Sequence, residues 1–320
     1  MTKKPQSDHF DGRRFFNPTL PKGFAHSRRE VLKMLREPRS PWPAWVENRG
    51  VPRLNEKLGA DEIAITFVNH ATFLIQTGGV AILTDPIWSE RASPFRRIGP
   101  KRVRAPGIAF DDLPAIDVAL ISHNHYDHLD IATLARLRRR FAPTVLAAAG
   151  DGRHIAPLGF THVHELDWWE QVRFGDTLAV TFVPAQHFSA RGLFDRQKSL
   201  WGGYVIESRG RRIYFGGDSG YSTHFADIRS RLGSPDIAML GIGAYEPRWF
   251  MRPVHMNPAE AVRAHRDLGG RHSIGMHFGT FQLTTEAIDR PQTDLGHALA
   301  VSGIAESEFI TLHEGETRIY

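Results

Sequence analysis

The 320-residue sequence contains no cysteine, which excludes disulfide bonds and thiolate-bound metal. Any metal site must therefore be built from His, Asp and Glu side chains. The sequence also lacks a long apolar run, since no window approaches the roughly 18 consecutive apolar residues that a bilayer-spanning helix requires. The first thirty residues are polar and basic and have no apolar segment, so we expect no secretory signal peptide. These absences predict a cytoplasmic protein, with peripheral membrane contact as the alternative.

The charge of the chain limits its partners without identifying one. A net charge of +5 and a pI near 9.6 would suit anionic substrates, anionic membrane surfaces or nucleic acid. The tightest basic run, at residues 136–140, falls on a predicted helix over 131–141, where a solvated helix face explains it. Because the sequence has no stripe of alternating basic and aromatic residues, we do not expect nucleic acid as a partner.

The pattern of residues divides the chain into an extension and a main domain. Residues 1–58 are rich in proline, basic and aromatic residues, and they predict an N-terminal extension that packs on a catalytic domain over 59–320. The run at 40–45 is too apolar for a free linker and predicts a strap across the main body, with a partner or lipid surface as the alternative. From residue 63 onwards, short branched apolar runs predict β-strands.

The densest group of metal-capable side chains is the run His-x-His-x-Asp-His at residues 123–128. It follows directly after the apolar run 117–121, which predicts a buried strand. Imidazole nitrogens and carboxylate oxygens are natural zinc ligands. His123 and His125 are two apart on extended backbone and project to the same side, so both can reach one ion. Asp127 and His128 follow the turn and can reach a second ion. A solvated His-rich loop is the alternative, but this pattern rarely arises by chance even with 17 histidines.

Three later predicted strands each end in one further metal-capable side chain. The strands at 178–183, 212–215 and 273–276 lead to His187, Asp218 and His277. Together with the His cluster these residues supply seven ligands, enough for two ions. We expect one set of His123, His125 and His187, a second set of Asp127, His128 and His277, and a bridging carboxylate from Asp218. Asp85 also ends a predicted strand, and a surface turn explains it equally well at this point.

The motifs that carry a family resemblance are the runs at residues 84–87, 91–94, 99–102, 122–130, 165–170, 184–187 and 241–251. They resemble the metallo-β-lactamase superfamily, an α/β fold described as an αβ/βα sandwich with a dinuclear site at one edge. Within it, the runs are similar to the branch of N-acylphosphatidylethanolamine-hydrolysing phospholipase D and its bacterial homologues. The likeness extends from about residue 63 to residue 283.

The resemblance implies a zinc-dependent phosphodiesterase that releases N-acylethanolamine and phosphatidate through a hydroxide bridging two Zn²⁺ ions, although the donors also accept Mn²⁺ or Fe²⁺. It implies catalytic roles for Asp127, Asp218 and His255. It places Tyr126, Arg191 and His255 near the substrate head group, and it makes Asp85 the carboxylate that orients a ligand imidazole.

His255 also stands two residues before Asn257, the predicted N-cap of a helix that begins with a proline. The positive end of that helix would lower the pKa of the imidazole and keep it neutral near pH 7. A histidine that only ties the loop to the sheet is the alternative.

Three rival functions remain open from the sequence. A lactonase or another metal-dependent hydrolase would use the same hydroxide, and a metal-dependent nuclease would suit the basic charge. A non-catalytic binding protein of this fold would be expected to lose ligands, and all seven are present. The expected partners are a phospholipid or another phosphodiester and a membrane surface contacted peripherally. Whether the chain forms a homodimer is left open.

Overall fold

The computed structural model describes residues 6–54, 58–59, 61–192 and 194–320. Residues 1–5 and 55–57 of the predicted extension lie outside the described residues. The strands are β1 (Ile63–Asn69), β2 (Thr72–Thr77), β3 (Val80–Thr84), β4 (Val118–Ile121), β5 (Thr144–Ala148), β6 (Val163–Leu166), β7 (Gln171–Phe174), β8 (Leu178–Val183), β9 (Gly203–Ser208), β10 (Arg211–Phe215), β11 (Ile237–Gly241), β12 (His272–Met276), β13 (Phe309–Thr311) and β14 (Thr317–Ile319). The helices are α1 (Arg28–Arg36), α2 (Ile131–Arg140), α3 (Gly152–Ile155), α4 (His224–Leu232), α5 (Arg248–Met251), α6 (Pro258–Leu268) and α7 (Arg290–Ser302).

The first of two seven-stranded sheets has the order β14-β1-β2-β3-β4-β5-β6, with β3 to β6 parallel. Its interior strand β4 is apolar throughout because both of its faces are buried. Val118 and Leu120 join the core between the two sheets. Ala119 and Ile121 join a second core, which Leu134 of α2 covers. The continuous apolar run that predicted this strand therefore reflects helix packing on one face and sheet packing on the other.

The second sheet has the order β13-β12-β11-β10-β9-β8-β7, with β10 to β13 parallel. Phe225 of α4 and Val262 of α6 join the same core as the strands of this sheet. Helix α6 begins as predicted, because Asn257 caps it, Pro258 is its first residue, and Glu260 completes a capping box. In the described part of the chain, no helix combines the length and apolar character needed to cross a bilayer.

The carboxyl ends of strands that run in one direction bring the predicted ligands to one edge of the sandwich. In the first sheet, β1, β3 and β4 share a direction, because β2 is antiparallel to β1 and β3 and β3 is parallel to β4. In the second sheet the same holds for β8, β10 and β12. The loops after these six strands carry, in chain order, His70, Asp85, the His cluster at 123–128, His187, Asp218 and His277.

The described part of the predicted N-terminal extension contacts the main body at several points. His9 Nε2 lies 2.7 Å from an oxygen of Asp167. Phe15 is buried in the core between the sheets, and the Trp42 indole N–H donates a 2.9 Å hydrogen bond to the Glu286 carbonyl. These contacts agree with an extension that packs on the main domain, while the boundary at residue 58 stays a prediction.

Candidate metal centre

Four side chains from three loops converge in a first group of metal-capable atoms: His123, His125, His187 and Asp218. His125 Nδ1 lies 2.9 Å from His123 Nε2 and 3.2 Å from His187 Nε2. Asp218 Oδ2 lies 3.8 Å from His123 Nε2 and 3.6 Å from His187 Nε2. One atom from each residue falls within 4.8 Å of all the others, so the group has the size and donor types of a site for one divalent ion.

A second group forms around Asp127, His128 and His277. Asp127 Oδ2 lies 3.4 Å from both His128 Nε2 and His277 Nε2. Asp218 reaches this group as well, because its Oδ2 is 3.2 Å from His128 Nε2 and its Oδ1 is 3.2 Å from His277 Nε2. The structure therefore brings together all seven side chains that the sequence predicted as ligands. It also places Asp218 between the two groups, where a bridging carboxylate was expected.

The centre contains buried polar atoms that a cation would satisfy. Among the described residues, His128 Nε2, His277 Nε2 and Asp218 Oδ1 are buried and make no hydrogen bond, although they face one another. Buried polar atoms in folded proteins nearly always have a partner. A divalent ion between these atoms would supply that partner to all three, so the residues present fit a metal ion.

The imidazoles of His128 and His187 are held by hydrogen bonds to the ring nitrogen that faces away from the centre. His128 Nδ1 lies 2.6 Å from Asp85 Oδ2, and Asp85 in turn accepts hydrogen bonds from the Ser122 N–H and hydroxyl at 2.7 and 2.6 Å. His187 Nδ1 lies 2.9 Å from the Val254 carbonyl and donates to it. Such contacts fix the tautomer and orientation of a metal-binding imidazole. Asp85 thus lies where the resemblance implied that it would.

Three histidines of the first group are held in the neutral state that binds metal. Burial lowers the pKa of His123 well below its usual value. Burial is also the largest influence on His125, whose pKa falls to about 4, and on His187, whose pKa falls to about 3. Because a metal ligand must be unprotonated, these imidazoles need give up no proton to bind an ion near pH 7.

The two carboxylates and the histidines of the second group shift each other's pKa values in opposite directions. Burial alone would raise the pKa of Asp218, but His128 and His277 hold it well below its usual value. Burial alone would lower the pKa of His277, but Asp218 and Asp127 raise it to about 9. His128, which faces the same two carboxylates, has a pKa raised well above its usual value. A bound cation would replace these protons, so metal binding should release protons.

The centre forms the floor of a cavity of about 280 Å³, to which His125, Asp127, Asp218 and His277 contribute. His255 stands in its wall with Nε2 3.8 Å from Asp218 Oδ2 and with only 12% of its side chain exposed. Burial is the main cause that lowers the pKa of His255 to about 3, so it is neutral as expected, although burial rather than the helix end is the main reason. The apolar residues of the wall are Phe24, Val31, Met34, Phe188, Ala244, Phe250, Met251, Val254 and Leu283.

Tyr126 and Arg191 lie in a neighbouring groove instead of this cavity. The groove has a volume of about 810 Å³ and is also lined by residues of the loop 89–96. The Arg191 guanidinium donates to the carbonyls of Asn124 and Leu129, both at 2.8 Å, and lies 4.1 Å from the centre of the Tyr126 ring. The structure therefore does not bring these two residues together with the ligands, and their contact with a head group stays a prediction.

Two residues of the centre were missed from the sequence. His70 Nε2 lies 2.9 Å from Asp127 Oδ2, and its position two residues after the apolar run at 63–68 was the signal that could have identified it. Arg196 lines the cavity with its guanidinium 4.1 Å from the centre of the Phe188 ring. Its Nε is buried without a hydrogen-bond partner in the described part of the chain. No sequence pattern marked Arg196, because its position depends on how its loop folds back.

Comparisons with known proteins agree with this fold. The family model described as a β-lactamase superfamily domain matches residues 81–278. The chain is 40% identical over 263 residues to N-acyl-phosphatidylethanolamine-hydrolyzing phospholipase D 1 of Caenorhabditis elegans, an alignment that covers 78% of this chain and 74% of that protein. It is 34% identical over 223 residues to the mitochondrial N-acyl-phosphatidylethanolamine-hydrolyzing phospholipase D of Saccharomyces cerevisiae, covering 68% of this chain and 47% of that protein.

A solved metallo hydrolase of the archaeon Ignicoccus hospitalis superposes with a TM-score of 0.62 and 21% identity, covering 81% of this chain and 98% of that one. At this level of identity the likeness concerns the fold alone. Taken together, the comparisons confirm the predicted fold class, an α/β sandwich of the metallo-β-lactamase type, and the predicted resemblance to its phospholipase D branch.

Removing metal from the protein should destabilise it, because the buried polar atoms of the centre that make no hydrogen bond then lose the ion as their partner. An ion present at 100–1,000 times its dissociation constant stabilises the folded chain by about 3–4 kcal/mol. We therefore expect an excess of chelator to lower the melting temperature by about 5 °C or more, as measured by scanning calorimetry. The isosteric variant Asp218→Asn is the matched control and should respond little to chelator. An equal melting temperature for wild-type protein with and without metal would contradict the metal centre.

Proposed function

The chain belongs to the β-lactamase superfamily with the metallo-β-lactamase fold, and from that premise we propose that it is a phosphodiesterase of the phospholipase D type. Its substrate is an N-acylphosphatidylethanolamine-like lipid, and its products are N-acylethanolamine and phosphatidate. The observation that carries the proposal is the convergence of seven His and Asp ligands on the floor of an apolar-walled cavity. The membership itself makes the chain a metal-dependent hydrolase, and the choice of reaction rests on Arg196, the cavity wall and helix α1.

The donor set suits two Zn²⁺ ions. His123, His125 and His187 would hold one ion and Asp127, His128 and His277 the other, with Asp218 shared between them. When bound, such ions lower the pKa of water and withdraw charge from the oxygens of a phosphodiester. The chain itself keeps Asp127 and Asp218 ionised, because the surrounding histidines hold both carboxyl pKa values well below their usual range. Two buried carboxylates thus offset half of the charge of two divalent cations.

The arginine side chain in the cavity wall, Arg196, favours an anionic substrate. Arg196 lines the cavity, where its half-buried guanidinium packs on the Phe188 ring. A phosphate oxygen in the cavity would accept a charge-assisted hydrogen bond from this guanidinium. A lactone carbonyl could accept the same hydrogen bond, but it carries no negative charge to pair with the guanidinium, so Arg196 favours a phosphodiester over a lactone. His255 stands beside Asp218 as a neutral imidazole and is suited to donate a hydrogen bond to a second phosphate oxygen or to the leaving oxygen.

The size and wall of the cavity favour the end of a lipid over a small polar diester. A volume of about 280 Å³ accommodates a head group and the first carbons of its chains, but not a whole phospholipid. The apolar wall contains Val31 and Met34 of α1 and Phe250 and Met251 of α5. Acyl chains would therefore leave the cavity along α1. For this reason α1 should lie at the membrane during catalysis.

Helix α1 has the composition of a helix that binds an anionic membrane surface. Leu32 and Leu35 are 53% and 61% exposed, although they are long apolar side chains. Basic residues surround them, and Lys33 Nζ lies 4.4 Å from the ring centre of Trp249, which is itself 40% exposed. An amphipathic helix of this kind buries its apolar residues at the head-group boundary, and each nearby basic residue adds about 1 kcal/mol of attraction to an anionic surface.

A hydrolysis panel tests the proposed reaction. Metal-loaded protein should hydrolyse N-acylphosphatidylethanolamine in mixed micelles with a kcat/KM at least about tenfold above that for an acyl-homoserine lactone, the difference expected from one charge-assisted hydrogen bond. A simple phosphodiester should be intermediate, and RNA should be inert. Faster turnover of the lactone than of every phosphodiester would refute the assignment. Faster turnover of RNA than of the other phosphodiesters would also refute it.

Two arginine variants provide the internal control of that panel. Arg196→Gln should lower kcat/KM for the lipid diester by about 10–100-fold and leave lactone turnover nearly unchanged. Arg191→Gln is the matched change in the neighbouring groove, where the guanidinium already binds two carbonyls, and should affect the diester less. The opposite order would assign the head-group contact to Arg191.

The membrane contact can be tested separately from the chemistry. The double variant Leu32→Ser, Leu35→Ser should bind vesicles that contain phosphatidylglycerol at least about tenfold more weakly, because two exposed apolar side chains no longer enter the boundary region. Turnover of a short-chain diester should not change. Val301→Ser removes an apolar side chain of α7 that is 90% exposed and serves as the control. Unchanged vesicle binding by the double variant would exclude α1 as the contact.

A further inference from the structure

His70 occupies a strained and firmly held position beside the metal centre. It lies in the turn between β1 and β2, is buried, and has a left-handed backbone with a φ of 48°, which a non-glycine residue adopts only when its surroundings impose it. Its backbone N–H donates to the Thr280 hydroxyl at 3.0 Å. Its carbonyl accepts a 2.8 Å hydrogen bond from the N–H of His277. The backbone of His70 is thus tied directly to that of a predicted ligand.

The side chain of His70 contacts a second predicted ligand. Its Nε2 lies 2.9 Å from Asp127 Oδ2. This is the same oxygen that lies 3.4 Å from both His128 Nε2 and His277 Nε2. The His70 ring also packs against the His277 ring, with 4.0 Å between their centres. One side chain therefore limits the position of the carboxylate and of an imidazole in the same group.

The surroundings of the two ring nitrogens indicate whether His70 acts as a hydrogen-bond donor or as a further metal ligand. Nδ1 is buried and has no hydrogen-bond partner in the described part of the chain, whereas Nε2 faces a carboxylate oxygen. A neutral imidazole has one N–H, and placing it on Nδ1 would leave a buried donor without an acceptor. The N–H therefore belongs on Nε2. His70 Nε2 lies close enough to Asp127, His128 and His277 to join their group. That group already has Asp218 as a fourth side chain, 3.2 Å from both histidines, so His70 fits a donor to Asp127 better than a fifth ligand.

We propose that His70 is a positioning residue of the metal centre, which holds the Asp127 carboxylate in place between His128 and His277 through its Nε2–H. This inference rests on the metal centre of the proposed function, and it adds a residue outside the seven ligands. Hydrogen-bond partners of metal ligands typically contribute 10–100-fold to metal affinity. The effect should appear in the ion held by Asp127, His128 and His277, because His70 contacts none of the three histidines in the first group.

Two variants of similar length separate the hydrogen bond from the space that the ring fills. His70→Gln keeps an N–H donor at nearly the reach of Nε2, and His70→Met fills similar space without a donor. Both face the same left-handed backbone. Metal affinity is measured for the full chain by competition between the protein and a chromophoric chelator for Zn²⁺, together with the absorption spectrum of the Co²⁺-loaded protein. His265→Gln serves as the control, because it changes another buried histidine, on α6, whose Nδ1 lies 2.9 Å from Ser273 Oγ of β12.

We expect His70→Met to bind the weaker of the two ions about 10–100-fold less tightly, with the affinity for the other ion unchanged. His70→Gln should restore the affinity to within a few-fold of wild type and keep the Co²⁺ spectrum. Equal affinities in the Gln and Met variants would overturn the proposal, because the donor would then have no effect. Loss of an ion in both variants would also overturn it, since His70 would then be a ligand.

If neither variant folds, His70→Asn replaces His70→Met, since asparagine tolerates a left-handed backbone and is too short to reach Asp127. Weakened binding of one ion then supports the proposal, and wild-type affinity contradicts it. The measurement does not depend on the reaction. A chain that binds two ions but hydrolyses no phosphodiester would refute the proposed reaction alone, whereas a wild-type chain that binds no ion would refute both.

Discussion

The structure depends most on the burial of one carboxylate, Asp218, among histidines that come from both sheets. A buried charge is costly unless it is paired, and Asp218 is only 4% exposed. Its oxygens lie within 3.8 Å of nitrogens of His123, His128, His187 and a further histidine that follows β12. The loops at the edge of the sandwich must converge to provide these partners. A divalent cation would complete the arrangement by satisfying the atoms that remain without hydrogen bonds.

The convergence of these loops around Asp218 explains why strained backbone conformations occur at the same edge of the sandwich. His70, Asp85 and His277 all have left-handed backbone angles, with φ values of 48°, 33° and 65°, in the turns that follow β1, β3 and β12. Each is held by hydrogen bonds of its neighbours, as when His277 donates its N–H to the His70 carbonyl. Such conformations persist only where the surroundings impose them, and they gather at functional sites. The rigid sheets thus support a preorganised set of ligands.

The sequence predicted the ligand set because that set follows from local rules. Short apolar runs predicted the strands, and the polar residues that follow each strand predicted the ligands. The seven ligands could therefore be predicted without tertiary information. His70 follows the same rule, but it lies in the two-residue gap between the apolar runs at 63–68 and 71–76, which is typical of a hairpin turn and does not by itself indicate a ligand. Arg196 and the cavity contacts of Val31 and Met34 obey no local rule. They depend on how a loop and an amphipathic helix fold over the centre, which residue spacing alone does not encode.

The central claim is that water attacks phosphorus at this centre. Its most direct test is hydrolysis of N-acylphosphatidylethanolamine by the metal-loaded protein in water enriched with oxygen-18, followed by mass spectrometry of both products. Attack at phosphorus breaks the bond between phosphorus and the ethanolamine oxygen. The label should therefore appear once in phosphatidate and be absent from N-acylethanolamine. Label in N-acylethanolamine would mean attack at carbon, and labelled fatty acid would mean ester or amide hydrolysis. Either result would contradict the account.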